Sequence, residues 1–215
     1  MADIFEEVDE EVRKDQFSEI WQKYGKLIVA GAILALASSV GYVLWDNYQF
    51  KKRAESSAQL EQALKLIDAK KEVDANQVLE ALAQNGTAGY AVLARFRGAG
   101  IKVQAGDYAA AAEIYDALSA DGSIDTLYRD LARLYSIMQR IDNDDPAMLE
   151  TELQPLLAAK GAWRFSAREL AAVVALRQQN TEAAKTHFKA LVDDGATPPG
   201  LRRRASEMLR AIDGS

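Results

Sequence analysis

The chain has 215 residues and a net charge of -6; residues 1–26 hold eight acids and four bases, net -4, which leaves -2 for the rest. A near-balanced remainder lacks the basic face that nucleic-acid binding requires, so no nucleic-acid partner is expected. With no Cys and a single His187, disulfides, thiol catalysis, cysteine lipidation and histidine-cluster metal or triad chemistry are excluded, and the four prolines in an alanine-rich chain favour helix over sheet.

Residues 1–26 read as an acidic amphipathic tail. Phe5, Val8 and Val12 share one helical face, and Phe17, Ile20, Trp21 and Tyr24 share another at spacing i, i+3, i+4, i+7. The second stripe suits a membrane surface. The first lies among Glu6, Glu7, Asp9, Glu10 and Glu11, which anionic lipid would repel. A short docking helix and a solvated acidic tail both remain open for it.

Leu27 to Trp45 is a run of 19 residues without a formal charge. As a helix it is roughly 28 Å long, close to the hydrocarbon thickness of a bilayer. Trp21, Tyr24 and Trp45 are candidate interfacial anchors, joined by Tyr42 and Tyr48. Ala35-Leu36-Ala37 resembles a signal-peptide cleavage site. The region before the run is acidic, however, and the run continues for eight residues past Ala37, so an uncleaved anchor in the lipid bilayer is expected. Four cations before it (Arg13, Lys14, Lys23, Lys26) against three after it (Lys51, Lys52, Arg53) do not decide its orientation. Gly31 and Ala35, then Ala37 and Gly41, put small residues at a spacing that permits close packing of helices in a membrane.

Residues 46–215 read as an all-α domain of helical pairs. The spanning helix continues outward with Leu60, Leu64 and Ile67 on one face and breaks near Lys70-Lys71-Glu72. Asp74 is a candidate cap for a helix carrying Val78, Leu79 and Leu82, ending at Asn85-Gly86. A helix over about 89–104, apolar on more than one side, then turns tightly at Ala105-Gly106-Asp107 into a partner that buries Ala111, Ala112, Tyr115 and Leu118. The next pair carries Leu127, Leu131, Leu134, Tyr135 and Met138, then Leu149, Leu153, Leu156 and Leu157 after an Asp145-Pro146 start, with Pro155 expected to kink or shorten the second helix. A third pair turns at Asn180. A last helix follows Thr197-Pro198-Pro199, with Leu201, Ala205, Met208, Leu209 and Ile212 inward and Arg202, Arg203 and Arg204 beside them.

Helix, turn, helix at a period near 34 to 37 residues marks a solenoid of stacked helical pairs. Gly106-Asp107-Tyr108 leads into Ala111 and Tyr115; Gln179-Asn180-Thr181 leads into Ala184 and Phe188. Both the alanines and the aromatics are 73 positions apart, which fits two repeats with a short insertion. A small residue lets helices approach, and an aromatic four positions later fills the groove between them. Gly106, Tyr108, Ala111, Tyr115, Ala184 and Phe188 are therefore the expected repeat-packing positions. They resemble the tetratricopeptide repeat, more in the second helix of each pair than in the first, and the final helix has the pattern of a cap.

No nucleophile–base set, phosphate loop, dinucleotide turn or metal-ligand spacing occurs, so no catalytic, cofactor-binding or metal residue is assigned and no enzyme is expected. Asp142, Asp144 and Asp145 lack the glycine and terminal glutamate of a calcium loop and read as a solvated turn. Arg202-Arg203-Arg204 could dock an anion, but reads better as the exposed side of the capping helix. His187 reads as a surface residue.

Certain short motifs stand in a definite order and spacing along nearly the whole chain. They are Tyr24-Gly25-Lys26 before the span, Gly41-Tyr42 with Trp45 and Gln49 at its exit, and the Gly89-Tyr90 to Leu118 pair. Gly161-Ala162-Trp163 and Ala196-Thr197-Pro198 follow. In this the chain resembles the ancillary SecYEG translocon subunits, single-pass inner-membrane proteins with a periplasmic tetratricopeptide-like domain. The resemblance implies a cytoplasmic tail (1–26), a transmembrane helix (27–45) and a periplasmic solenoid (46–215) in the bacterial inner membrane. It further implies as partners the Sec translocon, a membrane-anchored periplasmic chaperone of the peptidyl-prolyl isomerase type, and unfolded secreted proteins handed on to folding factors. A membrane-tethered scaffold for another envelope or division assembly is the alternative, since repeat surfaces host many partners.

Overall fold

The computed structural model describes residues 3–158 and 160–214, with side chains described from Trp21 onward except those of Gln22, Ile28 and Ala32. The tail's residues Phe5, Val8, Val12, Phe17 and Ile20 lie outside the described side chains. The chain divides into two compact units, Met1–Ala54 and Glu55–Ser215.

The first unit is built on α1 (Asp3–Asp68), which runs through Leu27 to Trp45 without interruption. No residue there breaks it: the β-branched residues are scattered and proline is absent. Its described side chains in this stretch are exposed, Leu34 to 67% and Leu36 to 68%. A core helix of a soluble protein hides such side chains, whereas a helix that is apolar all round and uncovered is suited to lipid as its solvent. It is long and apolar enough to cross a membrane. Trp21, Tyr24 and Trp45 stand exposed at its two ends. Gly31, Ala35, Ala37 and Gly41 are exposed too, with open space over both glycines.

The second unit contains the last turns of α1 and then α2 (Glu72–Asn85), α3 (Ala88–Gln104), α4 (Tyr108–Ala120), α5 (Thr126–Arg140), α6 (Pro146–Leu153), α7 (Arg164–Arg177), α8 (Thr181–Asp193) and α9 (Pro199–Asp213). Among the described residues there is no strand. Each helix packs chiefly on the one before and the one after it. The buried residues accordingly fall into four clusters in chain order. Ala63, Leu79, Leu82 and Ala94 join α1, α2 and α3. Ala99, Ala111, Tyr115 and Ala132 join α3, α4 and α5. Leu134, Leu149, Leu153 and Ala171 join α5, α6 and α7. Phe165, Ala184, Phe188 and Ala205 join α7, α8 and α9. A core made of successive neighbour contacts is that of a solenoid.

Local chemistry sets the helix ends. Asp107, Asp125, Asp145 and Asn180 each accept a backbone N–H in the first turn of the helix they precede, at 2.8–3.2 Å. Pro146 opens α6, and Pro155 ends it, with a 3-10 turn from Gln154 to Leu157 following. Asp74 is not a cap: Lys71 precedes α2 and Asp74 lies inside its first turn, where its charge still suits the helix dipole. The cause is a sharp turn at Lys70 that ends α1 early enough for α2 to begin at Glu72.

That turn recurs. Lys70, Gly106 and Gln179 have φ of 58°, 77° and 59°. At each, two backbone N–H groups reach back to the preceding helix, Lys70 to Ile67 and Lys71 to Leu66, Gly106 to Val103 and Asp107 to Lys102, Gln179 to Leu176 and Asn180 to Ala175. This is the left-handed helix ending that glycine adopts most cheaply. A side chain at this φ costs roughly 1–2 kcal/mol, partly offset because glycine loosens the unfolded chain by about 0.4–1 kcal/mol. Gln179→Gly is therefore expected to raise stability by about 0.5 kcal/mol. Gly106→Ala, whose new Cβ meets nothing within 4 Å, should lower it by about as much or slightly more. Urea denaturation of the pair reads both signs; two shifts of the same sign would contradict this account.

Of the repeat positions, Ala111, Tyr115, Ala184 and Phe188 are buried, and Gly106 makes the turn. Tyr108 differs: it is the first residue of α4 and 50% exposed, because its Cβ points back off the end of the helix and away from the packed face.

Candidate functional site

α5 is apolar on two faces. Ala132, Leu134, Ser136 and Ile137 are buried in the core. Leu127, Tyr128, Leu131, Tyr135 and Met138, on the other side, are not: Tyr135 is 36% and Met138 47% exposed. α3 has the same division, with Ala94, Ala99 and Ile101 buried while Leu93 is exposed and Phe96 and Gly100 are half-buried. The two outward faces meet along a trough of about 560 Å³. The sequence reading placed Leu127, Leu131, Leu134, Tyr135 and Met138 on one helix; of these Leu134 is buried in the core, while Leu127, Tyr135 and Met138 are left exposed.

Tyr115, reaching up from α4, forms the floor. Its ring centroid lies 5.8 Å from Phe96 and 5.4 Å from Tyr135, and Phe96 meets Tyr135 edge-on at 6.2 Å. These tilted arrangements suit the ring quadrupoles and fix the shape of the floor. Burial, and then the neighbouring Tyr135, push the Tyr115 hydroxyl above its ordinary pKa, so it stays neutral. Its polar groups are Arg97, Gln104 and Gln139 together with the hydroxyls of Tyr115, Tyr128 and Tyr135. The structure gives the exposed Arg97 guanidinium no ion pair or hydrogen bond among the described residues.

Leu131, Tyr135 and Met138 also border a second depression of about 350 Å³ between α5 and α7, with Trp163, Leu170 and Val173 on its far side. The Trp163 indole N–H donates to the Leu127 carbonyl at 2.8 Å, tying the start of α7 to the start of α5. Arg204 closes the outer edge through a two-pronged pair with Glu169 at 2.7 and 2.9 Å. The uncovered surface thus crosses three helices, α3, α5 and α7.

The other singled-out groups serve the fold. Arg202 donates to the carbonyls of Asp194, Gly195 and Thr197, Arg203 lies 3.9 Å from Glu207, and Arg204 is held by Glu169, so the three arginines are not a free cationic strip. Asp144 accepts from Arg140 while Asp145 caps α6, and the acidic cluster does not converge. Among the described residues no group of acids and histidine is arranged to hold a metal ion. His187 is half-buried rather than on the open surface. Burial first, then Arg168, holds its pKa below the ordinary value, against a smaller opposing effect of Glu150. Arg168 and Glu150, which act on it, stand on α7 and α6, so what the sequence left as an outer face is partly covered.

The uncovered surface leaves a sequence signal that is easy to misread. A stripe at positions 128, 131, 135 and 138 shows that a face is apolar, and not whether the chain itself covers it.

Residues 18–205 match the family model described as a tetratricopeptide repeat-like domain. A curated protein of Aggregatibacter actinomycetemcomitans, the "Ancillary SecYEG translocon subunit", is 27% identical over 184 residues, covering 85% of this chain and 88% of the relative. No solved structure gives a significant match.

Proposed function

Since this chain belongs to the tetratricopeptide repeat-like domain family, we propose that it is a non-enzymatic, membrane-anchored adaptor at the Sec translocon. The full-length similarity to a protein named as an ancillary SecYEG translocon subunit carries the reading. The exposed apolar helix and the uncovered trough support it, because an adaptor needs an anchor and a surface on which to hold proteins. In this reading the helix spans the inner membrane as a single pass, residues 1–26 stay in the cytoplasm and the repeat domain lies in the periplasm. The domain there receives a membrane-anchored chaperone of the peptidyl-prolyl isomerase type and assists the transfer of secreted chains to folding factors. Tethering raises the effective concentration of a neighbouring membrane protein to about the millimolar range, so individually weak contacts suffice.

Gly31, Ala35, Ala37 and Gly41 give the span a face on which another helix can pack closely, with Trp21, Tyr24 and Trp45 setting its depth. The test is affinity purification of the full chain in mild detergent, read by mass spectrometry. Recovery of channel subunits is expected, reduced when the four small residues are replaced with Leu. Recovery of envelope or division proteins without the channel would identify the scaffold alternative. Protease added to spheroplasts should digest the repeat domain; protection until lysis would reverse the topology.

A further inference from the structure

We propose that the trough between α3 and α5 docks an amphipathic helix of a partner protein, about three turns long, whose polar edge carries a carboxylate facing Arg97. The inference deepens, and rests on, the reading of this surface as a protein-binding face. It does not depend on which membrane machinery the anchor joins.

Three observations select this occupant. The first is polarity. An extended segment brings unpaired backbone N–H and C=O groups, and burying these without partners is costly. The trough offers them side chains only, Arg97, Gln104, Gln139 and three tyrosine hydroxyls, and no open backbone edge, because its walls are helices whose backbone groups are paired internally. A helix satisfies its backbone internally and needs only an apolar floor, which Phe96, Tyr115, Tyr135 and Met138 provide. The second is Gly100. A glycine inside a helix weakens it, and one that packs against a neighbour repays that cost. A Cβ built on Gly100 meets nothing within 4 Å, so none of the described residues uses the space. Positions 93, 97, 100 and 104 lie on one side of α3, and Gly100 is a notch in that side where another helix can come close. The third is charge. Arg97 is the charged residue lining this trough and has no partner among the described residues, whereas Arg204, at the edge of the neighbouring depression, is paired with Glu169. A cation beside an apolar floor favours an acid on the incoming helix over a base. From Leu93 to Gln104 the face rises roughly 16 Å, which is three helical turns.

The test uses the full chain in phosphatidylcholine nanodiscs, with empty discs as the blank, and fluorescence anisotropy of labelled peptides of about four turns. One peptide has Leu at i, i+3, i+7 and i+10 with Glu at its edges; a second has Lys in place of Glu; a third has a central Pro that prevents the helix. The Glu peptide should bind more tightly than either of the others. Gly100→Leu should weaken its binding at least about tenfold while Tm is unchanged or raised, since Leu is the better helix former. Arg97→Glu should reverse the preference between Glu and Lys peptides. Equal or tighter binding of the Pro peptide would assign the trough to extended chains and overturn the proposal. So would Glu-peptide binding that Gly100→Leu leaves intact, or no binding by the unaltered chain. Self-association of the chain that Gly100→Leu abolishes would give the trough to a second copy, and also overturns it. None of these outcomes bears on co-purification with the channel, so failure here and failure of the adaptor reading are distinguishable.

Discussion

Phe188→Ala is expected to destabilise the repeat domain by about 3–5 kcal/mol, and Tyr115→Ala by a similar amount. Phe188 is 1% exposed and fills the space between α7, α8 and α9, where its neighbours include Ala172, Ala184 and Ala205. Phe165 and Leu191 also belong to this cluster, but they are themselves close-packed and refill the vacated volume only in part, so most of the penalty persists. Tyr115 is 5% exposed and its truncation removes two ring contacts as well as volume. The trough opening above Tyr115 allows some collapse, which places it nearer the lower end of the range. Tyr115→Phe keeps the ring and should cost little. Thermal or urea unfolding of the full chain in detergent reads all three. A Phe188→Ala variant with the parent's midpoint would mean that the α7–α9 cluster is not load-sharing core.

The small-then-aromatic pairs at 111/115 and 184/188 identify a repeat because the geometry is local: residues four apart on a helix share a face, and a tight turn fixes which face meets its partner. The same logic makes the fold class legible from the caps at Asp107, Asp125, Asp145 and Asn180, whose side chains act within three residues of themselves. The uncovered trough is a different kind of fact. Whether Tyr135 and Met138 are covered depends on where α3 and α7 lie, at sequence separations that periodicity does not reach. Gly100 is similarly silent in the sequence, since a mid-helix glycine gains meaning only when the space over its Cβ is known to be empty. The wider α5–α6 turn explains why the period between Gly106 and Gln179 is not a simple double of the step from Lys70 to Gly106. No left-handed residue ends α5; the chain instead passes through Asp142 to Asp144 before Asp145 caps α6.

That irregular turn is held by arginines, and removing one of them has the second large expected effect. Arg140, at the end of α5, is hydrogen-bonded by both terminal nitrogens to Glu152 on α6, pairs with Asp144 at 3.0 Å and lies 3.9 Å from Asp116 on α4. Its side chain is 17% exposed. The bond to Glu152 outweighs the cost of burial and raises its pKa above the ordinary arginine value. Arg177 reaches from α7 to the carbonyls of Ile141, Asp142 and Asp144 in the same turn. With Arg140→Ala, the carboxylates of Asp116, Asp144 and Glu152 lose the cation between them, and the turn keeps only Arg177. Breaking a fully buried pair costs about 3–5 kcal/mol; partial exposure lets water compensate, so about 2–3 kcal/mol is expected. Arg140→Lys restores the charge but not the planar fork, and should recover less than half of the loss. The cycle Arg140→Ala, Glu152→Gln and the double variant isolates the pair, because the double variant removes the orphaned acid along with the cation. It should be more stable than the sum of the single losses predicts by about 1–2 kcal/mol. Strict additivity would show that Arg140 acts through its aliphatic stem packed beside α4 and α6, and that the turn is kept by Arg177 alone.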